Sequence, residues 1–280
     1  MSPEPGALDE AAFADLTEDD ADEAMQMLAD LTGATDARLR ALARQLAGRV
    51  TVDLAAAVAR VPVTGTHGRL RVAPLPEVGG DIDLDASLAP LIEARAGGRP
   101  ASIDDLRGPT WSRPSLALCL LVDRSGSMGG ARLAAAAVAA ACVALRAPAD
   151  HSVLAFGEDV IVLQRQGGGR PPTAVADDLF VLRGSGPTDL AGALRAAVRQ
   201  LGRSDARRRV AVLCSDARPT AGGDPFDAAR ELSALAELAV LAPADDADDA
   251  RALVAEVGGR CVELSGPAAV PDALAALFAR

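Results

Sequence analysis

From Pro114 onward, short apolar runs alternate with longer segments in which apolar residues recur at three- and four-residue spacings. The runs are LALCLLVD (116–123), SVLAFG (152–157), VIVLQ (160–164), RVAVLCSD (209–216), LAELAVLAP (235–243) and RCVELS (260–265). Most are apolar at both alternating sets of positions, the pattern of a strand covered on both faces. Between and after most of them the spacing predicts helices at 131–146, 189–201, 225–234, 247–257 and 270–279. Alternating strands and helices imply an α/β domain built on a doubly wound, mostly parallel six-stranded sheet. The runs at 152–157 and 160–164 are joined only around Gly157, Glu158 and Asp159. That is too short for a parallel crossover, so the pair predicts a hairpin and one antiparallel edge strand.

The front of the chain has a different texture. LRALARQLAGRVTVDLAAAVAR, within 38–60, carries leucine, alanine and valine at helical spacing. An acidic helix is expected before it, opened by Thr17 with Asp20 in capping-box spacing and closed near Gly33. Residues 61–80 are punctuated by glycine and proline and predict a loop with one short strand. A helix follows with Asp85 as its expected N-cap. Asp81, Asp83 and Asp85 have the spacing of a calcium loop, but Ala86 and Ile92 stand where glycine and glutamate are needed. The expected division is a mostly helical N-terminal region over 1–104 with an acidic start, a polar boundary, and an α/β domain over 114–280.

Charge narrows the possible partners. Residues 1–36 hold eleven acidic side chains and no base, while the rest carries as many acidic as basic ones. Neither part offers the basic surface that drives nucleic-acid binding, and Arg207–Arg209 is expected as the solvated lead-in to a strand. The chain has no lysine, so a G-x-x-x-x-G-K-[ST] phosphate loop cannot form. The longest apolar run, Leu133–Leu145, is short of the ~20 residues of a membrane span. The acidic start lacks a positive signal region, so the expected location is cytoplasmic, away from membranes. Cys119, Cys142, Cys214 and Cys261 sit singly in apolar segments and are expected to pack as small core residues.

The candidate chemistry lies in three loops: DRSGS (123–127), GSGPTD (184–189) and SDARPT (215–220). Each follows a strand or precedes a helix at the carboxyl edge of the predicted sheet, where open α/β sheets bind ligands. Taken singly, such loops are ordinary caps and turns. Together they resemble the von Willebrand factor A (VWA) domain, whose metal-ion-dependent adhesion site (MIDAS) is Asp-x-Ser-x-Ser, then a threonine, then an aspartate. The resemblance implies a VWA fold over about 114–280, with Asp123, Ser125, Ser127, Thr188 and Asp216 around one Mg2+, or Mn2+ or Ca2+ in its place. Two carboxylates and three hydroxyls suit a hard cation and leave it open to another carboxylate. Pro187 and Ala217 stand where relatives often have glycine. Asp189 is assigned to the N-terminus of the following helix.

The front part, LLADLTGATDARLRALARQLAGR, with GDIDLDASL and WSRPSLALCLLVDRSGSM, is similar to bacterial VWA proteins of the CoxE and magnesium-chelatase D-like kind. That resemblance implies an adaptor rather than an enzyme. Its partner would be a MoxR-type AAA+ ATPase or its client, presenting an acidic side chain to the metal. The alternative is a metal-dependent hydrolase using the same crevice. The motifs of serine hydrolases and dinucleotide folds are absent, and a phosphatase D-x-D is interrupted by Ser125. Of the two histidines, His67 lies in a glycine-rich loop and His151 is expected at the surface.

Overall fold

The structure, a computed structural model, describes residues 13, 16–17, 19–31, 47–48, 50–56, 69–78, 80–112, 116–125, 131–182 and 186–278. The chain divides into two compact units: Met1–Thr64 with Leu116–Arg280, and Gly65–Ser115.

The smaller unit pairs β1 (Arg69–Pro74) antiparallel with β2 (Arg107–Ser112). The polar stretch expected as a boundary is therefore partly a strand. Pro109, opposite Val72, is tolerated because a two-stranded sheet consists only of edges. Between the strands lie a helical turn α2 (Leu75–Val78), helix α3 (Leu84–Ala96) and a 3-10 turn at Ile103–Asp105. The N-cap of α3 is Asp83, not Asp85: its carboxylate accepts from the Ala86 N–H at 3.0 Å. Ser102 and Asp105 form a capping box, and Arg99 grips the Asp105 carboxylate with two nitrogens.

The larger unit holds a six-stranded sheet of β3 (Leu116–Asp123), β4 (His151–Phe156), β5 (Val160–Gln164), β6 (Arg208–Cys214), β7 (Glu237–Pro243) and β8 (Arg260–Leu264). The order is β5-β4-β3-β6-β7-β8, with only the β4–β5 pair antiparallel. The six strands and the edge hairpin are those expected. Alternate residues of each central strand serve two separate cores: Leu118, Leu120 and Val122 enter one, Ala117, Cys119 and Leu121 the other. That is why these strands are apolar throughout.

One face carries α4 (Ala131–Arg146), α5 (Pro172–Val181) and α9 (Val270–Phe278); the other carries α6 (Leu190–Leu201), α7 (Pro225–Ser233) and α8 (Asp248–Val257). Helix α5 is absent from the sequence expectations. Every residue from Ala134 to Ala144 of α4 is buried, so this helix is covered on all sides. Its further cover is α1 (Ala21–Leu31), whose Ala24, Met25 and Leu28 join the same core. The described front helices thus belong with the sheet, and Leu116 is where the chain re-enters that unit. Asp20, not Thr17, caps α1: its carboxylate accepts from the Glu23 N–H at 2.9 Å, while the Thr17 hydroxyl donates to Phe13 O.

The cysteines are free; Cys119, Cys142 and Cys214 are buried and Cys261 is half-buried. Burial pushes the first three thiols up to about 12. Arg208 is committed within the fold, binding Glu237 and the carbonyls of Leu277 and Phe278 at the end of α9. Arg209 binds the carbonyl of Ser204. No described helix is long and apolar enough to cross a membrane.

Candidate functional site

The chain runs outward from β3 in both directions, β4 and β5 on one side and β6 to β8 on the other, so the strand order reverses between β3 and β6. A crevice therefore opens at the carboxyl ends of these two strands. Asp123 is the last residue of β3, and the pairing of Val122 with Cys214 sets the next residues, Asp123 and Ser215, side by side. The Ser215 hydroxyl donates to Asp123 Oδ2 at 2.6 Å and accepts from the Ala217 N–H at 2.9 Å. The other carboxylate oxygen, Oδ1, accepts from the Ser125 N–H at 2.7 Å, and the Ser125 hydroxyl bonds the same carboxylate.

Asp216 follows, 7% exposed, with Oδ1 accepting from the Arg218 N–H at 3.1 Å. The intervening backbone is sharply bent: Ala217 has φ 61°, the left-handed region that favours glycine. This is the position where glycine was expected from the resemblance, and the conformation explains the preference. The Arg218 guanidinium is itself held by Asp246 at 2.8 Å and Asp249 at 3.2 Å.

Thr188 arrives on the neighbouring loop, 3% exposed. Its N–H donates to Thr220 Oγ1 at 2.7 Å, and its carbonyl accepts from the N–H groups of Thr220 and Ala221. A parallel bridge between Asp189 and Ala221 continues this stitching, and the Asp189 N–H donates to Gly157 O at the end of β4. Asp189 is the N-cap of α6, accepting from the Gly192 N–H at 2.8 Å. A Cβ on Gly192 or Gly222 would overlap the Asp189 carboxylate, and Gly222 also has φ 85°. The two glycines let this carboxylate sit between the loops.

Of the expected ligands, Asp123, Ser125 and Asp216 meet around the β3–β6 switch point, and Thr188 lies on the loop tied to the one after Asp216. Ser127 falls outside the described residues. Ser215 was missed by sequence reasoning. The strand register is the signal for it, because it is the residue that faces Asp123 across the pair.

Electrostatics favour a cation at this point. Burial, at 1% exposure, pushes the Asp123 carboxyl above its ordinary value; hydroxyl and N–H donors pull it back, and the charge of Asp216 pushes it up again. Asp123 accepts from hydroxyls and a backbone N–H, and Asp216 from the Arg218 backbone N–H. Two buried carboxylates with neutral hydroxyls fit the donor chemistry of a hard divalent ion. Among the described residues, no three His, Cys, Asp or Glu side chains cluster as metal ligands, so a site here would rest on hydroxyl oxygens as well. Beside Ser215 the crevice continues into a cavity of about 340 Å³, lined by Ala135, Cys214, Leu241 and Leu264, with Arg132 and Asp245 paired at 3.3 Å.

His151 is not at the surface: it is 2% exposed, at the amino end of β4, with Nδ1 2.8 Å from Ala147 O. The whole length of β4 separates it from the crevice. His67 lies outside the described residues.

The family model of VWA domain containing CoxE-like protein matches residues 54–275. Similar solved structures include a von Willebrand factor type A protein from Catenulispora acidiphila, 19% identical with TM-score 0.49, covering 62% of this chain and 44% of that one. An aerotolerance-related membrane protein from Bacteroides fragilis is 14% identical with TM-score 0.46, covering 58% of this chain and 98% of that one. BatB from Bacteroides thetaiotaomicron is 11% identical with TM-score 0.44, covering 57% of this chain and 96% of that one. This chain thus spans less than half the length of the Catenulispora protein. Curated proteins give no match.

Proposed function

Because the chain belongs to the family of VWA-domain CoxE-like proteins, we propose that it is a magnesium-dependent protein-binding module of the MIDAS type. VWA domains generally mediate protein–protein interaction. The observation that carries the finer reading is the pair of buried carboxylates, Asp123 and Asp216, at the strand switch point, the first held by the Ser215 hydroxyl and the Ser125 N–H, the second by the Arg218 N–H. Asp123, Ser125, Ser127, Thr188 and Asp216 would hold the ion, Mg2+ or alternatively Mn2+ or Ca2+. The bound ion would supply an open coordination position for an oxygen ligand from outside.

Asp123 and Asp216 balance the divalent charge, while neutral hydroxyls leave it electrophilic. An acidic side chain of a partner is then favoured as the incoming ligand. Ser215 fixes the Asp123 carboxylate, and the Thr188–Thr220 bond fixes the loop that carries Thr188. The proposed role is binding rather than catalysis, since the described histidine lies away from the crevice and bonded to Ala147. The partner we propose is a MoxR-type AAA+ ATPase or its client in cofactor-enzyme maturation or metal insertion. That partner would supply the nucleotide hydrolysis, for which this lysine-free chain has no P-loop.

The test is recovery of a MoxR-type ATPase from the same cell on immobilised wild type, Thr188→Ala, and wild type with EDTA. Recovery should need metal and fall in Thr188→Ala. Equal recovery in all three would place the interaction on another surface.

A further inference from the structure

Helix α3 of the smaller unit is turned inside out. Its buried side is small and polar: Ser87 is fully buried and Ala94 3% exposed. The Ser87 hydroxyl donates to Asp83 O at 2.6 Å and accepts from the Arg107 N–H at 2.9 Å, fastening the helix to β2. Its large apolar side chains point the other way, with Leu84 73%, Leu88 54% and Ile92 63% exposed. The spacing i, i+4, i+8 makes them one stripe, the pattern with which a helix meets a partner. Beside the C-terminal half of the stripe lies a groove of about 470 Å³ lined by Leu88, Ile92, Arg95, Arg99, Pro100 and Ala101.

We propose that this face is a self-association surface, on which α3 packs antiparallel against α3 of a second copy. The charges choose the occupant and the direction. Asp81 and Asp85 flank the N-terminal end of the stripe; Arg95 and Arg99 flank its C-terminal end. Neither Asp85 nor Arg95 has an ion-pair partner among the described residues. The two are ten positions apart, about 15 Å along the helix, and cannot reach each other within one copy.

A two-fold axis level with Pro90 sets Leu88 against the partner's Ile92 and Asp85 against the partner's Arg95. Leu84, the most exposed knob of the stripe, then falls beside the groove at the partner's C-terminal end. Knob and groove lie at opposite ends of one helix, so each copy fills the other, as an isologous interface requires. A parallel pairing would set like charges together. Arg99 is already oriented by its two-nitrogen grip on Asp105.

Sedimentation of the full chain over a concentration series tests this. Wild type should form a dimer. Leu84→Asp and Ile92→Asp, both at exposed positions, should melt like wild type yet raise the dimer dissociation constant about a hundredfold, because each change enters twice. Asp85→Arg and Arg95→Asp should each weaken the dimer, and the doubly swapped chain should recover it, which a repulsion within one copy could not produce. A wild type that stays monomeric throughout, a dimer unchanged by both aspartate variants, or a double swap as weak as the singles would each overturn the proposal.

Discussion

Ser215→Ala removes one hydroxyl that holds two buried groups of the crevice. The Oγ donates to Asp123 Oδ2 at 2.6 Å and accepts from the Ala217 N–H at 2.9 Å, and both Ser215 and Asp123 are 1% exposed. Water therefore has little access to replace the hydroxyl. A hydrogen bond to a carboxylate contributes about 1.5–3 kcal/mol, and a buried N–H left without an acceptor costs about another 1 kcal/mol. The deletion gains no apolar contact in return. Together these give a loss of about 3 kcal/mol for the metal-free protein. Urea unfolding in EDTA, followed by far-UV circular dichroism, measures it; the signal is dominated by the larger unit. A loss below about 1 kcal/mol would refute the reasoning, since it would mean that Asp123 has solvent access or another donor.

Leu28→Ala should cost the same unit about 3 kcal/mol, because Leu28 is fully buried in the core shared with α4; a near-zero change in urea would detach α1 from the sheet. Ala217→Gly should relieve the strain of φ 61° and so offset the loss of its buried methyl, leaving stability within about 1 kcal/mol of wild type; a loss of several kcal/mol would contradict a left-handed backbone there. The Arg99 side chain, then the Ser102 N–H, lower the Asp105 carboxyl to about 2. A lowered carboxyl contributes stability in full above the unfolded value near ~4, and loses it as pH falls from there through about 2. Fluorescence of Trp111, the one tryptophan, on β2, should show the smaller unit unfolding across that window. Asp105→Asn should flatten the curve, and an unaltered acid transition would contradict the assignment.

The sheet was legible because its physics is local. Strands buried on both faces must be apolar at every position, and the short link after β4 permits only a hairpin. Helix α5, PTAVADDLFV, was overlooked although Val175, Ala176, Leu179 and Phe180 stand at helical spacing and are buried against the core; the glycines and prolines that lead into it, GGGRPP, give the segment the texture of a loop. The short strand expected within 61–80 is β1, but its pairing with β2 escaped because the two lie more than thirty positions apart and Gly108-Pro109 resembles a turn. The burial of His151 escaped for a similar reason. An imidazole at a strand start carries no sign of burial, and its bond to Ala147 O belongs to the turn before it. At the crevice, Asp123, Ser125, Thr188 and Asp216 could be named from the resemblance to the VWA metal motif. Ser215 could not, since only the β3–β6 register reveals that it faces Asp123.

The central claim is that Asp123 and Asp216 hold a divalent ion on which partner binding depends. Calorimetric titration of magnesium into wild type, Asp123→Ala and Asp216→Ala tests it most directly. Wild type should bind at a single saturable site and both variants should lose most of that heat. Metal-free far-UV circular dichroism should show both variants still folded, with Asp123→Ala the less stable of the two because it removes the acceptor of the Ser215 hydroxyl and the Ser125 N–H. Identical magnesium isotherms for all three proteins would contradict the account.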